Sequence, residues 1–61
     1  MTIQEYLRWA KQYPNDRPTC AQYSDLLYEY HMRNNITYDE ARNIVGLWTN
    51  EMWAEYLTQT N

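Results

Sequence analysis

Residues 37–57 read TYDEARNIVGLWTNEMWAEYL, and the way this stretch folds decides the architecture of the chain. Thr37 is followed three residues later by Glu40. That is capping-box spacing, in which the hydroxyl and the carboxylate each accept from an otherwise free N–H at a helix start. From there Tyr38, Ala41, Ile44, Val45, Trp48, Met52 and Tyr56 recur at helical spacing and share one face. The pattern predicts one helix over residues 38–57. Gly46 lies inside it at a cost of about 1 kcal/mol relative to alanine. Thr58 to Asn61 are expected to fray.

The punctuation before this stretch defines two more helices. Asn34 and Asn35 precede Thr37, and asparagine tolerates the left-handed geometry of a helix end. Thr19 can cap a helix over about residues 20–33, with Cys20, Tyr23, Leu26, Leu27 and Tyr30 on one face. Pro14-Asn15-Asp16-Arg17-Pro18 is a polar, stiff connector. Pro14 disfavours helical geometry in the residue before it. The first helix is therefore expected over about residues 3–13, opened by a second capping box, Thr2 and Glu5. Its apolar face carries Ile3, Tyr6, Leu7, Ala10 and Tyr13, with Trp9 at the edge. Three amphipathic faces joined by short links predict an all-α fold, a compact three-helix bundle, with residues 1–61 as a single domain.

A chain of 61 residues buries only about 60% of its unfolded surface, so its stability is narrow. One cysteine, Cys20, excludes an internal disulfide, and one histidine, His31, adds too little for a Cys/His zinc site. Seven Tyr and three Trp, with no Phe, must then supply most of the core area. The net charge of −3 argues against direct nucleic-acid binding, which needs clustered Lys and Arg. A helix-turn-helix reading of residues 26–42 would bring Asp39 and Glu40 against phosphate, leaving Arg42 and Asn43 to help. No apolar run approaches the ~20 residues of a membrane span, and no cationic segment precedes an apolar one as in a signal peptide. With one free thiol, the expected compartment is cytoplasmic.

Catalytic chemistry finds little support. Cys20 and His31 are eleven residues apart on one predicted helix, about 16 Å at ~1.5 Å per residue, so they cannot form a nucleophile–base pair. Glu51 and Glu55 have no histidine on the same helix to complete a metal set. Neither a catalytic residue, a cofactor, a metal nor a small-molecule substrate is expected.

A surplus of apolar residues points instead to an interaction surface. Tyr28 and Met32, with Ala21, lie outside the main face of the second helix. Gly46, Asn50, Trp53 and Leu57 lie opposite the main face of the third, flanked by Leu47 and Ala54. The sequence expectation is a non-enzymatic protein-interaction module. It would use Tyr28, Met32, Gly46, Asn50, Trp53 and Leu57 to bind a protein partner or a second copy of itself. Against this stands a third helix buried on two sides, which would place Trp53 in the core. Asp39, Glu40, Glu51 and Glu55 give the third helix an acidic surface. They raise a second expectation, a small acidic inhibitor of the kind phages and mobile elements encode. Such a protein would block a nucleic-acid-binding host protein by charge mimicry.

Overall fold

Four threonines start four helices. The computed structural model describes residues 1–59, and its elements are α1 (Ile3–Gln12), α2 (Cys20–Asn34), α3 (Tyr38–Val45) and α4 (Asn50–Thr58). The described residues are all-helical apart from their links. Thr2, Thr19, Thr37 and Thr49 occupy the caps, each side-chain oxygen accepting the N–H three residues on. The first three are full capping boxes with Glu5, Gln22 and Glu40 returning the bond. Accepting from the Thr N–H lowers the carboxyl pKa of Glu5 and of Glu40, with the backbone bond as the main cause.

The helix ends follow the same local chemistry. α1 stops ahead of Pro14. α2 ends where Asn35 turns left-handed at φ 54°. There the Asn35 N–H reaches the Met32 carbonyl at 3.4 Å and the Ile36 N–H reaches the His31 carbonyl at 3.2 Å. This pair of bonds is a Schellman motif, which satisfies carbonyls the helix leaves free. Thr58 is helical, its hydroxyl donating to the Glu55 carbonyl at 3.0 Å. Gln59 caps the helix, its N–H donating to the Tyr56 carbonyl at 3.3 Å, and the rest of the expected fraying segment, Thr60 and Asn61, lies outside the described residues.

The single helix expected over residues 38–57 is two helices. α3 ends at Val45, Gly46 and Leu47 turn, and the Trp48 N–H closes back on the Val45 carbonyl at 3.1 Å. Thr49 then caps α4. The reason lies in the backbone accounting at the start of α4, whose first N–H groups have no partner inside the helix. The Asn50 N–H donates to the Asp16 carbonyl at 2.7 Å and the Glu51 N–H to the Pro14 carbonyl at 3.0 Å. The Met52 N–H donates to the Thr49 hydroxyl at 3.4 Å. Both carbonyls belong to the connector between α1 and α2. A continuous helix would spend those N–H groups internally and leave the connector without them.

The interruption also resets the helical phase. Ala41 and Val45 are buried as expected, but Met52 turns outward while Asn50, Trp53 and Leu57 turn inward. The core comprises Tyr6 and Ala10 of α1, Leu26 and Leu27 of α2, Ala41 and Val45 of α3, and Trp53 and Leu57 of α4. α1 packs on α4, and α2 packs on α3. Leu7, Trp9, Tyr23, Tyr30, Trp48 and Tyr56 pack around this core at half burial. Trp48 precedes the cap and Trp53 is the fourth helical residue, and their rings meet at 5.0 Å. That is the position of a hydrophobic staple, which fixes the angle at which a chain enters a helix.

One polar side chain belongs to this core. Asn50 is fully buried. Its Oδ1 accepts from the Tyr6 hydroxyl at 2.8 Å, and its Nδ2 donates to the Tyr13 carbonyl at 2.9 Å. A buried polar group is tolerated when its bonds are made, and here they tie α1, the connector and α4 together. Burial pushes the Tyr6 hydroxyl pKa up to about 12.

Candidate functional site

The six residues expected to bind a partner divide into two sets. Asn50, Trp53 and Leu57 are core, Trp53 being 0% exposed. Trp53 packs edge-on against Tyr30, Trp48 and Tyr56, with ring centroids 5.0–6.1 Å apart. Gly46, the sixth, is half-buried in the turn after α3. A Cβ there would come within 2.8 Å of the Arg42 carbonyl oxygen, so glycine at this position serves the turn out of α3. This corrects the expectation of an apolar face on α4 opposite the core.

Tyr28 and Met32 are the exposed set. They lie four residues apart on α2 and are 58% and 59% exposed. Residues at this spacing are neighbours on a helix surface. Their surroundings come from tertiary packing, because the start of α1 reaches the same area. Met1, Ile3, Leu26 and Tyr28 line a hollow of about 270 Å³ together with Asp25 and Glu29. Beyond Tyr28, the half-buried His31 ring stands between two tyrosines, 5.2 Å from Tyr28 and 5.5 Å from Tyr38. His31 Nδ1 lies 3.3 Å from the Ile36 carbonyl oxygen. The face therefore presents flexible and aromatic apolar groups around a shallow cup, with carboxylates at its rim. Glu29 also pairs with Arg33 at 3.0 Å.

Asp25 and Glu29 are at helix-neighbour spacing from Tyr28 and Met32 on α2, but Met1 and Ile3 could not be assigned to this face from spacing alone. Met1 and Ile3 sit in or beside α1, and only the fold brings them to α2.

The acidic residues are separated by the helix break. Asp39 and Glu40 open α3, while Glu51 and Glu55 belong to α4. They do not share one helix, and Glu40 is engaged in its cap, its carboxylate accepting from both the Thr37 N–H and the Thr37 hydroxyl. Cys20 is exposed at the first turn of α2, and His31 is in the last. Among the described residues no group of three or more His, Cys, Asp and Glu could hold a metal ion. No helix of the described residues is long and apolar enough to cross a membrane.

Comparison with known proteins finds no match: no family model, no curated protein and no solved structure.

Proposed function

We propose that the protein is a non-enzymatic interaction module that binds another protein through the outer face of α2. The observation that carries this reading is the exposure of Tyr28 and Met32, one helical turn apart on α2, with Tyr28 joining Met1 and Ile3 around a hollow that Asp25 and Glu29 also line. Methionine adapts its shape to different partners, and tyrosine offers a large apolar surface with a polar tip. The rim selects the partner. Glu29 is already paired with Arg33, so Asp25 is the unpaired carboxylate, and a second copy docked on the same face would bring it towards its own equivalent, which is costly. A segment with an apolar anchor flanked by Lys or Arg would meet both the cup and its rim. Charge mimicry has less support, since its four acids are divided between two helices.

The test compares capture by the wild-type chain with capture by the Tyr28→Ala/Met32→Ala double variant, from extracts of the source cell at low and high salt. A basic protein retained by the wild type, lost from the variant and weakened by salt supports the reading. Equal retention of every protein by both chains refutes it. Sedimentation of the wild type across a concentration series covers the remaining occupant: a dimer abolished by the double variant would replace the heterologous partner with a second copy.

A further inference from the structure

The chain has eight acids and five Lys and Arg, yet one of its cavities reverses that balance. It holds about 340 Å³, and Arg17, Cys20, Tyr23, Arg42 and Trp48 line it with Pro18 and Gly46. Two of the five cations are present and none of the eight acids. The site is separate from the outer face of α2. The α1–α2 connector supplies Arg17, the first turns of α2 supply Cys20 and Tyr23, and α3 with the turn after it supplies Arg42 and Trp48.

Neither arginine is neutralised. The one salt bridge among the described residues joins Arg33 to Glu29. Arg17 donates one N–H to the Gly46 carbonyl, and the Arg42 guanidinium lies over the Tyr38 ring, 5.4 Å from its centre. A guanidinium carries five N–H donors in a planar fork that matches carboxylate and phosphate oxygens. Most of that donor capacity is therefore free. The remaining walls are aromatic and apolar, from Tyr23, Trp48 and Pro18. A volume of this size is at the lower end of small-molecule sites, which combine apolar walls with a few placed polar groups.

We infer that this cavity binds a small aromatic anion, a ring bearing a phosphate or carboxylate, with Arg17 and Arg42 holding the anionic group and Tyr23 and Trp48 flanking the ring. The inference rests on two arginines without a salt-bridge partner lining one pocket that has aromatic walls and no acid. It does not depend on the α2 face being a docking surface. Cys20 provides a readout, because it is the sole thiol and stands at the cavity wall.

The isotope-labelled chain is titrated with phenyl phosphate, with inorganic phosphate as the anion-only control and benzyl alcohol as the ring-only control. Tryptophan indole N–H signals and the rate of Cys20 alkylation by iodoacetamide are followed. Phenyl phosphate is expected to shift the Trp48 signal, slow the alkylation and bind more tightly than either control. The Arg42→Gln variant, checked for helix content by circular dichroism, should bind about tenfold or more weakly, as expected on losing a charge-assisted bond. Arg17→Gln, on the exposed connector, is the second variant in case the first does not fold. Inorganic phosphate matching phenyl phosphate would reveal an adventitious ion only, and benzyl alcohol matching it would reveal a greasy cleft. Either result, or unchanged affinity in a folded arginine variant, overturns the inference.

Discussion

Replacing Asn50 by alanine probes the whole arrangement at once, and its cost follows from two bonds. The substitution removes the acceptor of the Tyr6 hydroxyl, 2.8 Å away, and the donor to the Tyr13 carbonyl, 2.9 Å away. Tyr6 is fully buried, so its hydroxyl loses its partner without regaining water, which costs about 1–3 kcal/mol. The Tyr13 carbonyl lies nearer the surface, and losing its bond costs about 1 kcal/mol. The sum is about 2–4 kcal/mol. A domain of this length has about 3–9 kcal/mol in total. The expected fall in Tm is about 10–30 °C, taking 4–8 °C per kcal/mol. Urea unfolding followed by circular dichroism and by tryptophan fluorescence measures the loss. A double-mutant cycle with Tyr6→Phe isolates the shared bond, and the double variant should cost at least about 1 kcal/mol less than the two singles added together. An Asn50→Ala variant within about 0.5 kcal/mol of wild type, or a strictly additive cycle, would refute the assignment of Asn50 as the tie between α1, the connector and α4.

Three further outcomes are expected. Gly46→Ala should destabilise by about 1 kcal/mol, where alanine in an uninterrupted helix would stabilise by a similar amount, because its Cβ meets the Arg42 carbonyl oxygen at 2.8 Å; a rise in the urea midpoint would mean that residues 46–49 are helical. Trp53→Ala should cost about 3–5 kcal/mol and unfold much of the population, visible as lost helix signal; a well-folded variant impaired only in association would return Trp53 to the surface. Alkali should unfold the chain through Tyr6. Its folded pKa of about 12 lies above the ordinary 10, so the stability it contributes is intact below pH 10 and lost as pH rises towards 12. At ~1.4 kcal/mol per pH unit, about 2–3 kcal/mol disappears over that window. The urea midpoint measured across the same range should fall less steeply in Tyr6→Phe, and identical alkaline slopes would contradict the assignment.

The helix starts were legible because capping is local. Thr2 with Glu5 and Thr37 with Glu40 announce themselves within four residues, and Pro14 and Asn35 mark ends in the same way. The break after Val45 was not legible for two reasons. Thr49 has Met52, not an acid or glutamine, at the third helical position, so its cap lacks the reciprocal carboxylate. Val45, Trp48, Met52 and Tyr56 also keep helical spacing across the break. What ends α3 and starts α4 is a demand made by carbonyls of Pro14 and Asp16, far away in sequence. Two residues did hint at it. Asn50 is a poor choice for an exposed apolar stripe, and Trp48 and Trp53 are spaced as a staple once Thr49 is taken as the cap. The site divided along the same line. Tyr28 and Met32 lie outside the core, where helical spacing puts them, because α2 is unbroken. The α4 residues lie on the other side from the one a continuous helical phase predicts, because the turn after Val45 breaks that phase.

The bonds from Asn50 and Glu51 to the connector also bear on the order of assembly. They close a ring of chain containing residues 17–49, and inside that ring lie α2 and α3, adjacent in sequence and packed on each other. Forming the inner pair needs only a short loop to close, whereas joining α1 to α4 requires ends far apart along the chain to meet, at a higher entropic cost. The inner hairpin is therefore expected to form first, shortening the effective distance that the outer pair must close. In that order, the Asn50 clasp belongs to the late stage of folding. Weakening it should act mainly on how fast the native state opens and leave the rate of the early collapse largely unchanged.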